Sequence, residues 1–321
     1  MAILSNIVGL DIGSHSLKAV EFQQTLRGFE VVALRTLPRS DTDSPLSELV
    51  SQFTTMHGLS TDHLVASLPG NRVSTRRFTF PFRDRKRLAQ AIPFELEADS
   101  LFEIEDVLID WEIVGGDRNH ADTVAAIATR SEVAERLSML SEAGCEPRTL
   151  EAEGLVLGNL STLFPLDGTR LLVDIGHKKT TCCLLSDGQP VAARTFPVAG
   201  AALTLALARD RGISNEQAEQ LKCGNGVFDT SIRDAPPEVL RVLDRIGSEL
   251  LRTIGSIEPI IGQLESGPLN EITLCGGSAQ LDRIDDFLSA RTQHRTARLG
   301  PPVEGHADSL GADTSIVFAP A

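Results

Sequence analysis

Two similar segments, about half the chain length apart, limit the folds open to this sequence. Residues 7–22 read IVGLDIGSHSLKAVEF, and residues 170–185 read RLLVDIGHKKTTCCLL. Each has an apolar run typical of a buried strand, then Asp-Ile-Gly, a short polar loop and a second apolar run. A third strand-like segment follows each copy, at residues 30–37 and 189–197. The repeat predicts two related lobes, each of which opens with a β-hairpin.

The loop of each hairpin is a candidate anion site. Backbone N–H groups of a glycine turn at the end of a strand converge on one point and can hold an anion. In the first copy Lys18 adds a positive charge, and Asp11 can hold a metal ion through water. A single such hairpin would be explained equally well as an ordinary turn. The second copy has the same acid, glycine and flanking strands. Its presence favours the interpretation of both loops as phosphate-binding loops over that of ordinary turns.

The length of 321 residues exceeds what one hydrophobic core usually organises. The predicted division is residues 1–72 and 148–170 for the core of the first lobe, residues 73–147 for an inserted α+β subdomain, and residues 171–321 for the second lobe, whose helical part spans about 201–266. Residues 149–160 are predicted to form a helix that joins the lobes. A late strand at 271–275 runs into a glycine pair and a helix predicted over 279–291.

The charge balance excludes two classes of partner. With a net charge of −14 and a pI near 5.0, the chain has no general attraction to nucleic acid or to an anionic membrane surface. One dense basic cluster is present, and a solvated face is favoured over a binding site for it. It consists of Arg72, Arg76, Arg77, Arg83, Arg85, Lys86 and Arg87.

The five cysteines show no metal-ligand spacing, which indicates free thiols in a reducing compartment. His15 and His177 lie in the hairpin loops without a carboxylate or cysteine arrangement that indicates catalysis or metal binding. The chain has neither a signal peptide nor an apolar run long enough to span a bilayer. We therefore expect a cytoplasmic chain that reaches the membrane through a partner or through sequence after Ala321.

Four motifs, in this order, resemble those of the actin-like ATPase superfamily, in which two ribonuclease H-like lobes close on a nucleotide. They are D-x-G-S-x-x-x-K at 11–18, Asp-Ile-Gly at 174–176 with two following threonines, A-E-x-x-K at 218–222, and Gly-Gly at 276–277. The order makes the signal specific, although each motif alone is weak. The resemblance implies an α/β, actin-like two-lobed fold with an inserted α+β subdomain, and ATP with Mg²⁺ as cofactors.

The same resemblance implies particular site residues. Nucleotide contacts are expected at Asp11, Gly13, Ser14, Lys18, Asp174, Gly176, Thr180, Thr181, Glu219, Lys222, Gly276 and Gly277. Asp11 and Asp174 would hold Mg²⁺ through waters, and Glu151 or Glu153 would position an attacking water. The alternatives are a solvated first-turn charge for the glutamates, a surface ion pair for Glu219 and Lys222, and a plain turn for the glycine pair.

Within the superfamily, residues 68–81, 92–114 and 215–224 resemble the PilM family of type IV pilus assembly and, nearly equally, the cytoplasmic part of GspL in type II secretion. Here the inserted subdomain stands where FtsA carries its own special subdomain. The resemblance implies an assembly protein of an inner-membrane platform that binds the N-terminal cytoplasmic tail of a PilN-like protein. The groove for that tail is expected within residues 68–111, and a motor ATPase is a second candidate partner.

Two departures from the family pattern stand out. The second loop carries His-Lys-Lys at 177–179 in place of small residues, which would either aid phosphate binding or obstruct it. The chain ends at Ala321, where the family's last helix should begin, so we expect the natural protein to continue. Two other functions stay open: a kinase of the sugar-kinase branch, for which no convincing catalytic Asp is found, and a degenerate scaffold that binds no nucleotide. ATP turnover is expected to be slow or absent.

Overall fold

A computed structural model describes residues 6–25, 28–39, 44–99, 103–224 and 235–302. The strands are β1 Asn6–Ile12, β2 Ser16–Thr25, β3 Gly28–Pro38, β4 Leu64–Leu68, β5 Ser74–Phe80, β6 Val107–Gly115, β7 Ala121–Thr129, β8 Thr149–Ala152, β9 Thr169–Ile175, β10 Thr180–Ser186, β11 Gln189–Phe196, β12 Leu269–Cys275 and β13 Thr296–Arg298. The helices are α1 Leu46–His57, α2 Arg85–Asp99, α3 Arg130–Glu142, α4 Glu153–Val156, α5 Gly200–Arg211, α6 Asn215–Cys223, α7 Pro237–Ile261 and α8 Ile284–Thr292. The expectation about the chain end falls outside these residues.

Two of the three sheets have the same topology. The first has the order β3-β2-β1-β4-β8 and the second the order β11-β10-β9-β12-β13. In each sheet, three consecutive strands pair antiparallel to one another. Two later strands then run parallel to the central strand, which is β1 in the first sheet and β9 in the second. The repeat seen in the sequence is therefore a repeat of tertiary structure.

The apolar runs at the start of each copy form central strands. β1 and β9 each have a neighbouring strand on both sides, and consecutive residues, whose side chains point to opposite faces of the sheet, are buried along both strands. Val8 and Leu10 are buried in the first lobe, and Leu171 and Val173 in the second. Because the hairpin loops follow these fixed strands, the positions of the loops are set by the two cores.

The long helix α7 covers the second sheet through one apolar stripe. Leu243, Ile246 and Leu250 recur at helical spacing and are fully buried in the core of that lobe. Among the described helices, none combines the length and apolar character that crossing a bilayer requires.

The third sheet has the order β5-β7-β6 and lies within the predicted insert. α2 covers one face of it, with Leu88 and Ile92 fully buried against Phe80 and Ala125. The helix α3, also within residues 73–147, packs elsewhere: its Leu140 belongs to the core of the first lobe. The sheet therefore has a second face that α2 and α3 leave to other contacts.

The helix predicted over 149–160 is wrong. Residues 149–152 form β8, which pairs in parallel with β4, and only a single α-helical turn and a 3₁₀ helix at Leu157–Thr162 follow. The outer side of β4 carries backbone N–H and C=O groups that need partners, and pairing with β8 satisfies them. That tertiary pairing overrides the local helical pattern. The helix predicted over 279–291 is likewise shorter, since a 3₁₀ turn at Gly277–Gln280 precedes α8.

Candidate functional site

The two hairpin loops face each other across a cleft of about 230 Å³. Its walls combine both loops, the start of α4, one face of α6 and the turn after β12. The lining residues are Asp11, Gly13, Ser14, His15, Ser16, Lys18, Glu153, Asp174, Gly176, His177, Lys179, Glu219, Lys222, Cys223, Gly277, Ser278 and Gln280. All predicted nucleotide contacts except Thr180, Thr181 and Gly276 are in this set.

Lys18 supplies the positive charge at the floor of the cleft. It stands directly opposite Asp11 in the β1–β2 pairing, and its Nζ lies 3.1 Å from Asp11 Oδ2. Burial opposes the charge on Lys18, but attraction to the carboxylates of Asp11 and of Asp174 from the other lobe outweighs it, so the pKa is raised. The ammonium group therefore stays protonated between the two acids.

The second hairpin lacks the equivalent lysine. Thr181 is the residue opposite Asp174 in the β9–β10 pairing, and its hydroxyl contacts Thr195 Oγ1 at 3.2 Å. Asp174 Oδ1 is buried without a hydrogen-bond partner among the described residues. Burial raises the pKa of Asp174 to about 7, against the opposing effect of Lys18. A buried carboxylate oxygen without a partner, beside a second carboxylate, fits a hydrated Mg²⁺ ion.

Thr180 and Thr181 are fully buried, and the structure does not bring them to the cleft. Thr180 Oγ1 donates a hydrogen bond to the Val198 carbonyl oxygen at 2.7 Å. In this conformation both hydroxyls join the second loop to β11 and to the segment after it.

Glu219 and Lys222 are held together on α6. Lys222 Nζ lies 2.7 Å from Glu219 Oε2 and 3.0 Å from Thr204 Oγ1. Burial opposes the charge of Glu219, but hydrogen bonds from Lys222 and Thr204 outweigh it and lower its pKa. Because the Lys222 side chain is only 8% exposed, the pair is not an ordinary surface ion pair. Ser214 caps α6 through a hydrogen bond from the Gln217 amide and so fixes the start of the helix.

The glycine pair after β12 has two different surroundings. Gly276 has φ 86°, and a Cβ there would lie 2.0 Å from Asp174 Oδ1 and 2.8 Å from the Ile175 carbonyl oxygen. A Cβ on Gly277 would meet nothing within 4 Å, and this residue faces the cleft. Gly276 therefore lets the turn approach the carboxylate, while Gly277 leaves room for a ligand.

The two candidate glutamates lie at different sites. Glu153 lines the cleft, where its carboxylate accepts a hydrogen bond from the Gly70 amide and pairs with Lys179 Nζ. Glu151 does not line the cleft. It lies in a neighbouring groove, and burial, with a smaller effect of Asp110, raises its pKa.

That groove, of about 510 Å³, runs between the third sheet and the β8 edge of the first lobe. The β6–β7 register places Leu108 beside Ala128, Asp110 beside Ala126 and Glu112 beside Val124. The full lining is Leu68, Val73, Leu108 to Val114, Val124, Ala126, Ala128, Val133, Leu150, Glu151, Ala152, Leu155, Val156, Asn159, Gln189 and Pro190. The predicted range 68–111 supplies part of it, and the rest comes from later strands that folding brings alongside.

The basic cluster is largely engaged within the fold. Arg77 pairs with Asp122 at 2.9 Å, and the guanidinium groups of Arg85 and Arg87 lie over the rings of Trp111 and Phe82. These contacts favour the interpretation of the cluster as a structural and solvated face.

Sequence reasoning missed His15 and His177 as neighbours. Their ring centroids are 5.1 Å apart across the cleft. One ring nitrogen of each histidine also lies within 4.8 Å of a carboxylate oxygen of Glu219. The spacing in the sequence could not indicate this, because the three residues belong to three separate elements. Their position in the two similar loops was the available signal.

Two lobes of one topology that close on a cleft, each with an acid-glycine loop, define the actin-like class of proteins. The chain belongs to the family of the type IV pilus assembly protein PilM, whose family model matches residues 9–306. Of the two families that the sequence resembles, this is the pilus family.

Solved structures show the same fold. The PilM–PilN type IV pilus biogenesis complex matches at 22% identity over 92% of this chain and 88% of that chain, with a TM-score of 0.74. The ethanolamine utilization protein EutJ from Carboxydothermus hydrogenoformans matches at 16% identity over 98% and 88%, with a TM-score of 0.58.

Proposed function

We propose that this chain is a pilus assembly protein that binds Mg·ATP in the cleft and the cytoplasmic tail of a PilN-like membrane protein in the groove. It would act in the cytoplasm at the inner-membrane face. The observation that carries the nucleotide half is Lys18, whose side chain is only 13% exposed and is attracted to Asp11 and Asp174 of opposite lobes. An ammonium group so placed matches the phosphates of a nucleotide held between two loops.

Each part of the cleft has a distinct role in this proposal. The amides of the first loop, with Ser14 and Lys18, would hold the phosphates, and Asp11 and Asp174 would hold the hydrated Mg²⁺. The magnesium ion supplies charge neutralisation for the phosphates when bound. Glu219 and Lys222 would contact the ribose and base, beside the open space at Gly277.

Glu153 is the better of the two candidates for positioning a water. It is the one that lines the cleft, where Lys179 Nζ pairs with its carboxylate and the Gly70 amide donates a hydrogen bond to it. We therefore assign Glu151 to the groove and not to the chemistry. We expect the wild type to release phosphate from ATP slowly. Glu153→Gln should abolish this release, and Glu151→Gln should leave its rate unchanged.

Replacing Lys18 with methionine is expected to weaken Mg·ATP binding by roughly 10- to 100-fold, the usual worth of a hydrogen bond between charged groups. Isothermal titration at fixed Mg²⁺ measures this. Lys178→Met is the matched control, because Lys178 is an exposed lysine of the second loop that does not line the cleft. Equal affinities for both variants and the wild type, or no heat from the wild type, would refute a nucleotide site in the cleft.

The proposed binding of a PilN-like tail is argued from the groove between the third sheet and β8. The solved PilM–PilN complex pairs a structural relative with PilN. In this chain, β6 and β8 are the outer strands of their sheets, so their free edges offer backbone groups to an extended peptide. The lining is mostly apolar, with Asp110, Glu112 and Glu151 as its acids. We infer an extended tail that inserts apolar side chains and carries a basic residue. A motor ATPase as a second partner stays a prediction.

Leu108→Arg is expected to weaken binding of a PilN-like N-terminal peptide by at least ~10-fold, since burying a leucine is worth roughly 1.5–3 kcal/mol. Leu108 lines the groove and is 39% exposed, so the fold should tolerate the change. Leu137→Arg on α3 is the control: it is 40% exposed and outside the groove. Fluorescence polarisation with labelled peptide gives both affinities. A peptide that binds Leu108→Arg as tightly as it binds Leu137→Arg does not occupy this groove.

A further inference from the structure

Three potential metal ligands meet at the mouth of the cleft. His15 follows β1, His177 follows β9 and Glu219 lies on α6. One ligand atom from each residue lies within 4.8 Å of the others. His15 belongs to the first lobe and the other two residues to the second, so this cluster spans the cleft.

The donor groups are in the forms that bind metals. Burial, and then the nearby His15, lower the pKa of His177, which favours the neutral imidazole that binds metals. Hydrogen bonds from Lys222 and Thr204 hold Glu219 as a carboxylate. The bond from Thr204 also fixes the orientation of the carboxylate. In the described parts of the chain, neither imidazole has a hydrogen-bond partner, which leaves their ring nitrogens available.

The set of two imidazole nitrogens and one carboxylate oxygen suits Zn²⁺, which binds such groups at about 2.0–2.2 Å and accepts a fourth, non-protein ligand. Tetrahedral geometry requires ligand atoms roughly 3.3 Å apart. The present separations are within 4.8 Å, and rotation of the exposed His15 side chain would let its ring nitrogen move toward the other two ligand atoms. Mg²⁺ prefers oxygen ligands, so this set favours a transition metal over the magnesium ion expected at the cleft floor.

We propose that His15, His177 and Glu219 form a binding site for one Zn²⁺ ion that links the two lobes across the mouth of the cleft. The ion would tie the first phosphate loop to the second lobe and hold the cleft closed. This site goes beyond the nucleotide and tail functions, and because it uses Glu219, which the proposed nucleotide site assigns to the ribose and base, Zn²⁺ and nucleotide would compete for that side chain.

The test is a titration of the full chain, freed of metal with EDTA and without nucleotide, using Co²⁺ as a visible-absorbing substitute for Zn²⁺. We expect one Co²⁺ per chain with the strong visible bands of a four-coordinate ion, displaced by Zn²⁺. His15→Ala and His177→Ala should each weaken binding by more than the ~10-fold typical for loss of a supporting contact. Added Zn²⁺ should also raise the melting temperature of the wild type by several degrees, and not that of His15→Ala.

His120→Ala is the control, because His120 pairs with Asp117 at 3.0 Å in the insert, outside the cleft. It should bind Co²⁺ as the wild type does. His15→Ala decides the outcome, since an exposed loop side chain can be removed without loss of the core. The proposal is overturned by a wild type that shows no saturable Co²⁺ absorption, or by a folded His15→Ala variant with unchanged affinity. Because nucleotide is absent throughout, neither result bears on ATP binding.

Discussion

Replacing Asp174 with asparagine is expected to stabilise the nucleotide-free protein at pH 8 while it weakens Mg·ATP binding at least ~10-fold. The carboxylate is 6% exposed, one of its oxygens has no partner among the described residues, and burial raises its pKa to about 7. Holding a charge there costs folding free energy that a bound magnesium ion would recover. Asparagine keeps the shape of the side chain and removes the charge.

The direction of the pH dependence follows from the two pKa values. The folded-state value, about 7, lies above the ordinary value of 3.8, so between these pH values the folded protein holds a proton that the unfolded chain has lost. The free energy of unfolding therefore falls as the pH rises through this window, by at most roughly 4 kcal/mol. The gain from Asp174→Asn should be largest at pH 8 and small near pH 4, where the folded state is protonated and the unfolded state is about half protonated.

Thermal melts in EDTA at pH 4, 5, 6, 7 and 8 would measure this gain as the difference in melting temperature between the variant and the wild type. Asp11→Asn is the matched control. Its carboxylate pairs with the largely enclosed Lys18, so the substitution should destabilise the protein. A gain from Asp174→Asn that does not grow with pH would show that the buried charge is not the cause.

Gly276→Ala is expected to cost at least ~3 kcal/mol of stability, because two penalties combine at one position. The backbone there has φ 86° and ψ 164°, a region almost restricted to glycine that costs another residue roughly 1–3 kcal/mol. In addition, the new Cβ would lie 2.8 Å from the Ile175 carbonyl oxygen and 2.0 Å from Asp174 Oδ1. Since Ile175 belongs to the central strand β9, the turn must move and carry the cleft wall with it, so nucleotide affinity should fall as well.

Two other glycines separate these penalties. Gly267 has φ 85° with nothing within 4 Å of a Cβ, so Gly267→Ala reports the backbone cost alone. Gly277→Ala, at a position with open space and no positive φ, should leave stability nearly unchanged. Urea unfolding of all three variants gives the free energies of unfolding. A cost at Gly276 no larger than that at Gly267 would mean that the close approach to Asp174 is not needed.

Much of the cleft could be predicted from the sequence, for a local reason. Each hairpin is encoded by contiguous residues, in which an apolar run, an acid and a glycine specify strand, turn and returning strand together. Because that pattern occurs twice, the sequence by itself assigns Asp11, Lys18 and Asp174 to one site. The pair Glu219 and Lys222 was assigned to the same site through the resemblance of residues 218–222 to the A-E-x-x-K motif, and both residues lie on one capped helix.

What the tertiary structure decided depends on residues that are distant in the chain. Pairing with β4 made residues 149–152 a strand, and so directed Glu151 to the groove and Glu153 to the cleft.

The strand register, which is the same in both hairpins, also showed what the sequence difference between them means for the two acids. It placed Lys18 opposite Asp11 but Thr181 opposite Asp174, so that only the second carboxylate is left without its own counter-charge. Hydrogen-bond register and the contact of His15 with His177 arise only when the sheets form and the lobes meet. The sequence alone therefore determined the two hairpins and the chemistry of their loops, and the packing of the lobes determined which groups are paired, which are buried and which are free to bind.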